Sequence, residues 1–377
     1  MTKRKASKFD IDELLADRDT EIIVCCGSGG VGKTTMSAAL ALRAAEQGRR
    51  VCVLTIDPAR RMAQSLGLTA LDNTPRKVPG VVGGELDAMM LDMKRTFDEV
   101  VLAHASPDKA QQILNNPFYV ALSSSFAGTQ EYMAMEKLSQ LHSAPDKPWD
   151  LIVVDTPPSR SALDFLDAPE RLSSLLDGRF IKLLISPAKG PARLMSAGMS
   201  MVTNALNKVL GNQLLSDVRT FIAAFDTLFG GFRQRSEQTY SLLRDDRTAF
   251  VVVASPERDT LREAAYFVER LSADEMPLAG MIVNRTSFVD ELGLSAELAD
   301  GAAERLRAGS AEEILVANLL NLHADAVRES VRENRLISRF ATAHNDVKQV
   351  FVPALGGDVS DLDGLRRVGS LLSQPEK

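Results

Sequence analysis

Short apolar runs, rich in β-branched residues, alternate along this chain with stretches of helical spacing. The runs Ile22-Ile23-Val24-Cys25-Cys26, Val51-Cys52-Val53-Leu54-Thr55-Ile56, Leu151-Ile152-Val153-Val154, Ala249-Phe250-Val251-Val252-Val253, Gly280-Met281-Ile282-Val283 and Val350-Phe351-Val352 read as buried strands, with a further strand over 86–92. Between them, 36–45, 261–271 and 361–372 read as helices, and 94–141 is mostly helical. Residues 295–343 are helical and charge-laced, as expected of a solvated outer layer. The alternation predicts an α/β fold: a mostly parallel sheet with right-handed crossovers and helices on both faces.

One segment breaks the alternation. Between Arg193 and Asp217 the only charge is Lys208, and Met195, Met199, Val202, Leu206 and Val209 recur at steps of three and four. A helical insertion is expected here, at about 170–235, within one domain spanning 21–377. Met195, Met199 and Met201 fit the core of that insertion; they also fit an adaptable groove for an apolar helix. Residues 1–20 are polar, with Lys3, Arg4, Lys5 and Lys8 near their start and no apolar segment of a secretory signal behind them. They are expected to form a disordered tail, with one helical turn near Ile11 to Leu15.

The chemistry gathers at the first strand. Gly27, Gly32, Lys33 and Thr34 fall at the spacing G-x-x-x-x-G-K-[ST], between a buried strand and a helix. That is the context of a P-loop, in which backbone N–H groups and a helix N-terminus cradle phosphate. Gly29, Gly30, Val31, Gly32, Lys33, Thr34 and Thr35 are thus candidate nucleotide contacts. Lys33 is expected to reach the β- and γ-phosphates, and the Thr34 hydroxyl to ligate Mg2+. Asp155 ends another strand at the position of a second magnesium ligand. Asp57 ends a third and suits polarisation of an attacking water. Asn284 ends a fourth, where an amide can pair with a base edge or simply cap a turn.

Composition narrows the picture further. The chain has 377 residues, is 45% hydrophobic and 25% charged, and carries a formal charge of -6, so nothing argues for nucleic-acid binding. The three cysteines, Cys25, Cys26 and Cys52, all lie in strands with no C-x-x-C pair, as expected of small core residues in a reducing cytoplasm. No apolar run approaches transmembrane length.

The runs Gly29-Gly30-Val31-Gly32-Lys33-Thr34-Thr35, Asp57-Pro58-Ala59, Asp155-Thr156-Pro157-Pro158-Ser159 and Val283-Asn284-Arg285 together resemble the ArsA family of arsenite-pump and tail-anchored-protein-targeting ATPases. The resemblance spans nearly the whole chain. It implies ATP and Mg2+ as cofactors, Asp57 in switch I, Asp155 opening switch II, Asn284 on adenine, and Val352 and Pro353 flanking it. It also implies a helical subdomain, a nucleotide-gated dimer, a hydrophobic or membrane-protein client, and work in the cytoplasm or at a membrane periphery.

Four departures accompany the resemblance. Ser28 stands where relatives carry a lysine that reaches the partner's nucleotide. Arg60-Arg61 and Arg160 replace small or His residues of the switches, and the C-x-x-C zinc clasp is missing. Without converging thiols, arsenite transport is not expected. Ser28 allows two readings: an active ATPase homodimer, or a weakly active subunit of a heterodimer whose lysine-bearing paralogue completes the site. A third reading, a partitioning ATPase of the MinD type, would use a membrane tail or a DNA surface. Only residues 373–377 follow the helix over 361–372, so no dedicated membrane tail is expected.

Overall fold

Strand β1 (Ile22–Gly27) explains the architecture, because it is buried along its whole length and its side chains alternate between two cores. Ile22, Val24 and Cys26 enter one cluster, and Ile23 and Cys25 enter the other. A strand that is apolar on both faces demands helices on both sides. The computed structural model describes residues 8–57, 61–117, 119, 120, 123, 129–157, 235, 237–287, 289 and 293–373. The expected insertion at about 170–235, with Met195, Met199 and Met201, lies outside the described residues except for 235, as do Arg60 and Arg160.

The other strands are β2 (Arg50–Thr55), β3 (Arg76–Lys77), β4 (Glu85–Met90), β5 (Leu151–Asp155), β6 (Thr248–Ala254), β7 (Leu278–Thr286) and β8 (Gln349–Pro353). They form one eight-stranded sheet in the order β3-β4-β2-β5-β1-β6-β7-β8. Every pairing is parallel except that of β3 with β4. The expected α/β fold is therefore present, and β3 is an addition to it.

Helices α1 (Ile11–Ala16), α2 (Lys33–Glu46), α3 (Arg61–Ser65) and α10 (Leu362–Ser373) cover one face. Helices α4 (Met93–His104), α5 (Pro107–Leu114), α6 (Thr129–His142) and α7 (Arg258–Ala273) cover the other, with the C-terminal part of α9 (Ala311–Ala343). Helix α8 (Ala296–Leu306) and the first half of α9 form a hairpin with its own small cluster of Ala296, Ala299 and Ala324, ringed by Leu294, Leu320 and Val327. Ser310 opens α9 with a capping box that uses Glu313.

The chain joins the body at residue 8, well inside the tail expected over 1–20. Phe9, Ile11 and Leu15 are buried, and Phe9 N donates to Gln349 O at 2.9 Å. The physical reason lies elsewhere in the sequence, at Arg49, which is fully buried. Its guanidinium donates to the carbonyls of Leu15 (3.3 Å), Asp17 (3.0 Å), Thr20 (2.7 Å) and Asp150 (2.6 Å), and to Asp150 Oδ1 (2.9 Å). A planar fork with five N–H donors suits several carbonyls at once.

Candidate active site

The loop between β1 and α2 is shaped by glycine at two decisive points. Gly27 has φ 149°, and a Cβ there would meet Val253 O at 2.1 Å, so β6 approaches too closely for any other residue. Gly32 caps α2 in the left-handed region, with φ 94° and ψ 22°. A Cβ at Gly32 would lie 2.4 Å from Asn284 Nδ2. Gly29 and Gly30 are exposed at the mouth of the loop, Val31 is buried beneath it, and Thr34 and Thr35 are half-buried at the start of α2.

Lys33 is 6% exposed, and its Nζ donates to Ser28 O at 2.7 Å. Burial lowers its pKa, while Asp155 and Asp57 act against that shift. Ser28 is itself buried, and its Oγ has no hydrogen-bond partner. Because all strands but β3 run parallel, the ends of β1, β2, β5 and β7 share one edge of the sheet, and the candidate residues collect there.

Asp155 is the centre of the polar arrangement. Its carboxylate is fully buried and accepts from Thr34 Oγ1 (2.9 Å) and Thr55 Oγ1 (3.0 Å) at Oδ2, while Ser37 Oγ lies 3.4 Å from Oδ1. Burial pushes its pKa up to about 6, against the pull of the Thr34 and Thr55 hydroxyls and the Lys33 charge. The Thr34 proton is committed to Asp155, which leaves the Thr34 oxygen lone pairs for another partner. A hydroxyl and a buried carboxylate side by side form an all-oxygen donor set, as a hard cation such as Mg2+ requires. Asp57 is half-buried two residues beyond β2, and its charge reaches both Lys33 and Asp155.

Asn284 is placed differently from a free base reader. Its Nδ2 donates to Val31 O at 2.8 Å, so half of the amide is spent on the loop itself. The other half, Oδ1, is an acceptor. Just beyond, Arg285 has φ 61°, and the register between β7 and β8 shifts, so that Asn284 pairs with Val352 and Thr286 with Pro353. The irregularity sits beside the site, where bulges re-aim side chains. It brings Pro353 to the same edge, half-buried.

Thr55, Ser37 and Thr156 join the site without having been singled out in the sequence. Thr55 precedes Asp57 by two residues, and Ser37 follows Lys33 by one helical turn, which were the available signals. Thr156 Oγ1 donates to Cys25 O at 2.8 Å and ties the strand end after Asp155 to β1. Burial pushes the Cys25 and Cys26 thiols up to about 12, and Cys52 is raised as well. Such thiols are neutral packing groups, not ligands. Among the described residues no group of three or more His, Cys, Asp or Glu is gathered around a point, and no helix is long and apolar enough to cross a membrane.

Known proteins share this plan. The profile of the ArsA family, described as anion-transporting ATPases, matches residues 20–296. ATPase ASNA1 homolog 1 of Paramecium tetraurelia is 21% identical over 384 aligned residues, which cover 97% of this chain and 96% of that protein. ATPase get3 of Schizosaccharomyces pombe is 26% identical, with 73% and 76% covered. ATPase ARSA2 of Chlamydomonas reinhardtii is 27% identical, with 75% and 72% covered. A match that runs from the strand before the phosphate loop to the start of α8 is carried by much more than that loop, and the chain belongs to the ArsA family of anion-transporting ATPases and is itself an ATPase.

Proposed function

We propose that the chain hydrolyses ATP in a magnesium-dependent way, as one half of a nucleotide-gated dimer. The loop amides of Gly29 to Thr35 hold the phosphates, and Lys33 turns from Ser28 O onto the β- and γ-oxygens. Thr34 and Asp155 hold Mg2+. Bound there, the ion would neutralise phosphate charge. Asp57 orients the attacking water, Asn284 meets adenine through Oδ1, and Pro353 flanks the base. The observation that carries this reading is the 2.9 Å bond from Thr34 to a buried Asp155 beside Lys33. A carboxyl kept at that environmental cost is suited to receiving a cation.

Ser28 favours a more specific form of the dimer. Its short side chain is buried and cannot cross to a partner's nucleotide. A heterodimer in which a lysine-bearing paralogue supplies that group fits best, with a hydrophobic or membrane-protein client and a cytoplasmic place of work. The test is ATP turnover by the purified chain alone, then with lysine-bearing paralogues, in Mg2+ and in EDTA. Turnover that is weak alone and rises with a partner is expected. Strong turnover alone would defeat the heterodimer, and turnover in EDTA would defeat the magnesium roles. Ser28→Lys should raise turnover by the isolated chain.

A further inference from the structure

The C-terminal half of α9 packs on the main core through a stripe that opens on an acid. Ile337 and Phe340 enter the core, and Glu333 stands one turn before Ile337 on the same buried face. Glu333 is 8% exposed. An apolar residue would continue the stripe, and a carboxylate is costly to bury even when hydrogen-bonded. Both of its oxygens serve one residue: Ser287 N donates to Oε2 at 2.7 Å, and Ser287 Oγ donates to Oε1 at 2.8 Å.

The carboxylate thereby holds the turn that follows β7. Asn284, three residues before Ser287, is buried, and its Nδ2 donates to Val31 O at 2.8 Å. Between them Arg285 has φ 61°, in the left-handed region that a residue with a long side chain adopts at a cost. Such a conformation persists only where its surroundings over-determine it. Upstream, the fixed point is the bond of Asn284 to the phosphate loop. Downstream there are two: Thr286 O accepts from Ala354 N at 3.0 Å, and Ser287 is gripped by Glu333. The register shift between β7 and β8 falls in the same segment. With Glu333 removed, Arg285 can relax toward the β region, and that turns the backbone from which the Asn284 side chain projects.

We propose that Glu333 is a positioning residue for base recognition: it fixes the turn after β7 so that Asn284 directs Oδ1 to the amino group of adenine. The proposal rests on the adenine role of Asn284 given under the proposed function. Adenine offers a donor at that amino group, and hypoxanthine carries a carbonyl in its place, so an acceptor held in one direction distinguishes the two.

Titration calorimetry of the full chain with ADP and with inosine diphosphate, which avoids turnover, tests it. The wild type should prefer ADP by about tenfold, the worth of one well-placed hydrogen bond whose loss leaves a buried acceptor unpaired. Glu333→Leu should reduce that preference to about twofold or less, with the loss falling on ADP and not on inosine diphosphate. Glu333→Gln should keep the preference, because glutamine can accept from Ser287 N and donate to Ser287 Oγ. Ser287→Ala removes one of the two bonds and should lower the preference about threefold; it decides the matter if Glu333→Leu does not fold. A clamp variant that keeps the wild-type preference, or that loses affinity for both nucleotides equally, as general loosening would cause, would overturn the proposal. Asn284→Ala separates the two levels of the argument. It should abolish the preference. If it does not, Asn284 is not the base contact and both readings fall; if it does while the clamp variants keep the preference, the role of Glu333 alone falls.

Discussion

Replacing Asp155 with asparagine should make the nucleotide-free protein more stable while abolishing its turnover. The carboxyl is raised from 3.8 to about 6, chiefly by burial. At 1.36 kcal/mol per unit, that gap corresponds to a cost of about 3 kcal/mol when the group is ionised. The sign follows from the raised pKa. Below about pH 4 the group is protonated in both states and the cost is absent; stability is then lost as pH rises through about 6, and the full cost holds at pH 8. An asparagine carries no charge and can keep its Oδ1 toward Thr34 and Thr55, with its NH2 toward Ser37, whose hydroxyl already donates to Lys33 O at 3.0 Å. Lys33 loses a counter-charge, so the net gain is about 2 kcal/mol at pH 8, a rise of roughly 2–3 °C in midpoint for a chain of this length.

The measurement is urea unfolding at pH 4 and pH 8, followed by the fluorescence of Trp149, the one tryptophan, which is held by Asp87 at 2.8 Å. Stabilisation at pH 8 that disappears at pH 4 is the expected result. An Asp155→Asn protein that is less stable at pH 8, or equally stabilised at both pH values, would refute the assignment of the strain to this carboxylate. Such a trade of stability for activity is common where a site is built from buried charge.

Three other substitutions probe separate parts of the argument. Gly32→Ala places a Cβ on the Asn284 amide in a left-handed backbone, and should cost about 2 kcal/mol in stability together with at least tenfold in nucleotide affinity, read by titration calorimetry. Arg49→Met removes the fork that gathers four carbonyls, and should cost about 3 kcal/mol and expose residues 8–20 to protease, with little change in nucleotide affinity. Thr34→Ala leaves Asp155 one hydroxyl short, and should raise the Mg2+ concentration needed for half-maximal turnover by roughly tenfold, measured by Mg2+ titration of the ATPase rate.

The sheet was legible because its central strands are apolar on both faces, which no amphipathic helix of that length would be. β3 was not, since it is two residues long and Arg76 and Lys77 are both exposed and charged. The helical turn near Ile11 was expected, but its docking onto the body was not legible, for a related reason. Its order depends on Arg49, more than thirty residues away, and no local pattern reports a guanidinium that will find three carbonyls. At the site, motif spacing identified Lys33, Thr34 and Asp155, and the folded chain brings them together. Asn284 was found by its place at a strand end, but its bond to Val31 O depends on how β7 sits against the loop, which sequence does not encode locally.

The position of β1 in the middle of the sheet has a consequence for biosynthesis. Its neighbours are β5 and β6, and Ile22 pairs with Thr248, 226 residues later in the chain (248 − 22). At roughly 5–20 residues per second, that partner leaves the ribosome about 10–45 s after β1 does. Throughout that interval the nascent chain presents an apolar strand with an unpaired edge, and its glycine loop lacks the β6 carbonyl that packs against Gly27. Pairings this distant are also slow to close once synthesis is complete. The close packing of Gly27 against Val253 therefore cannot form on a chain released before residue 253.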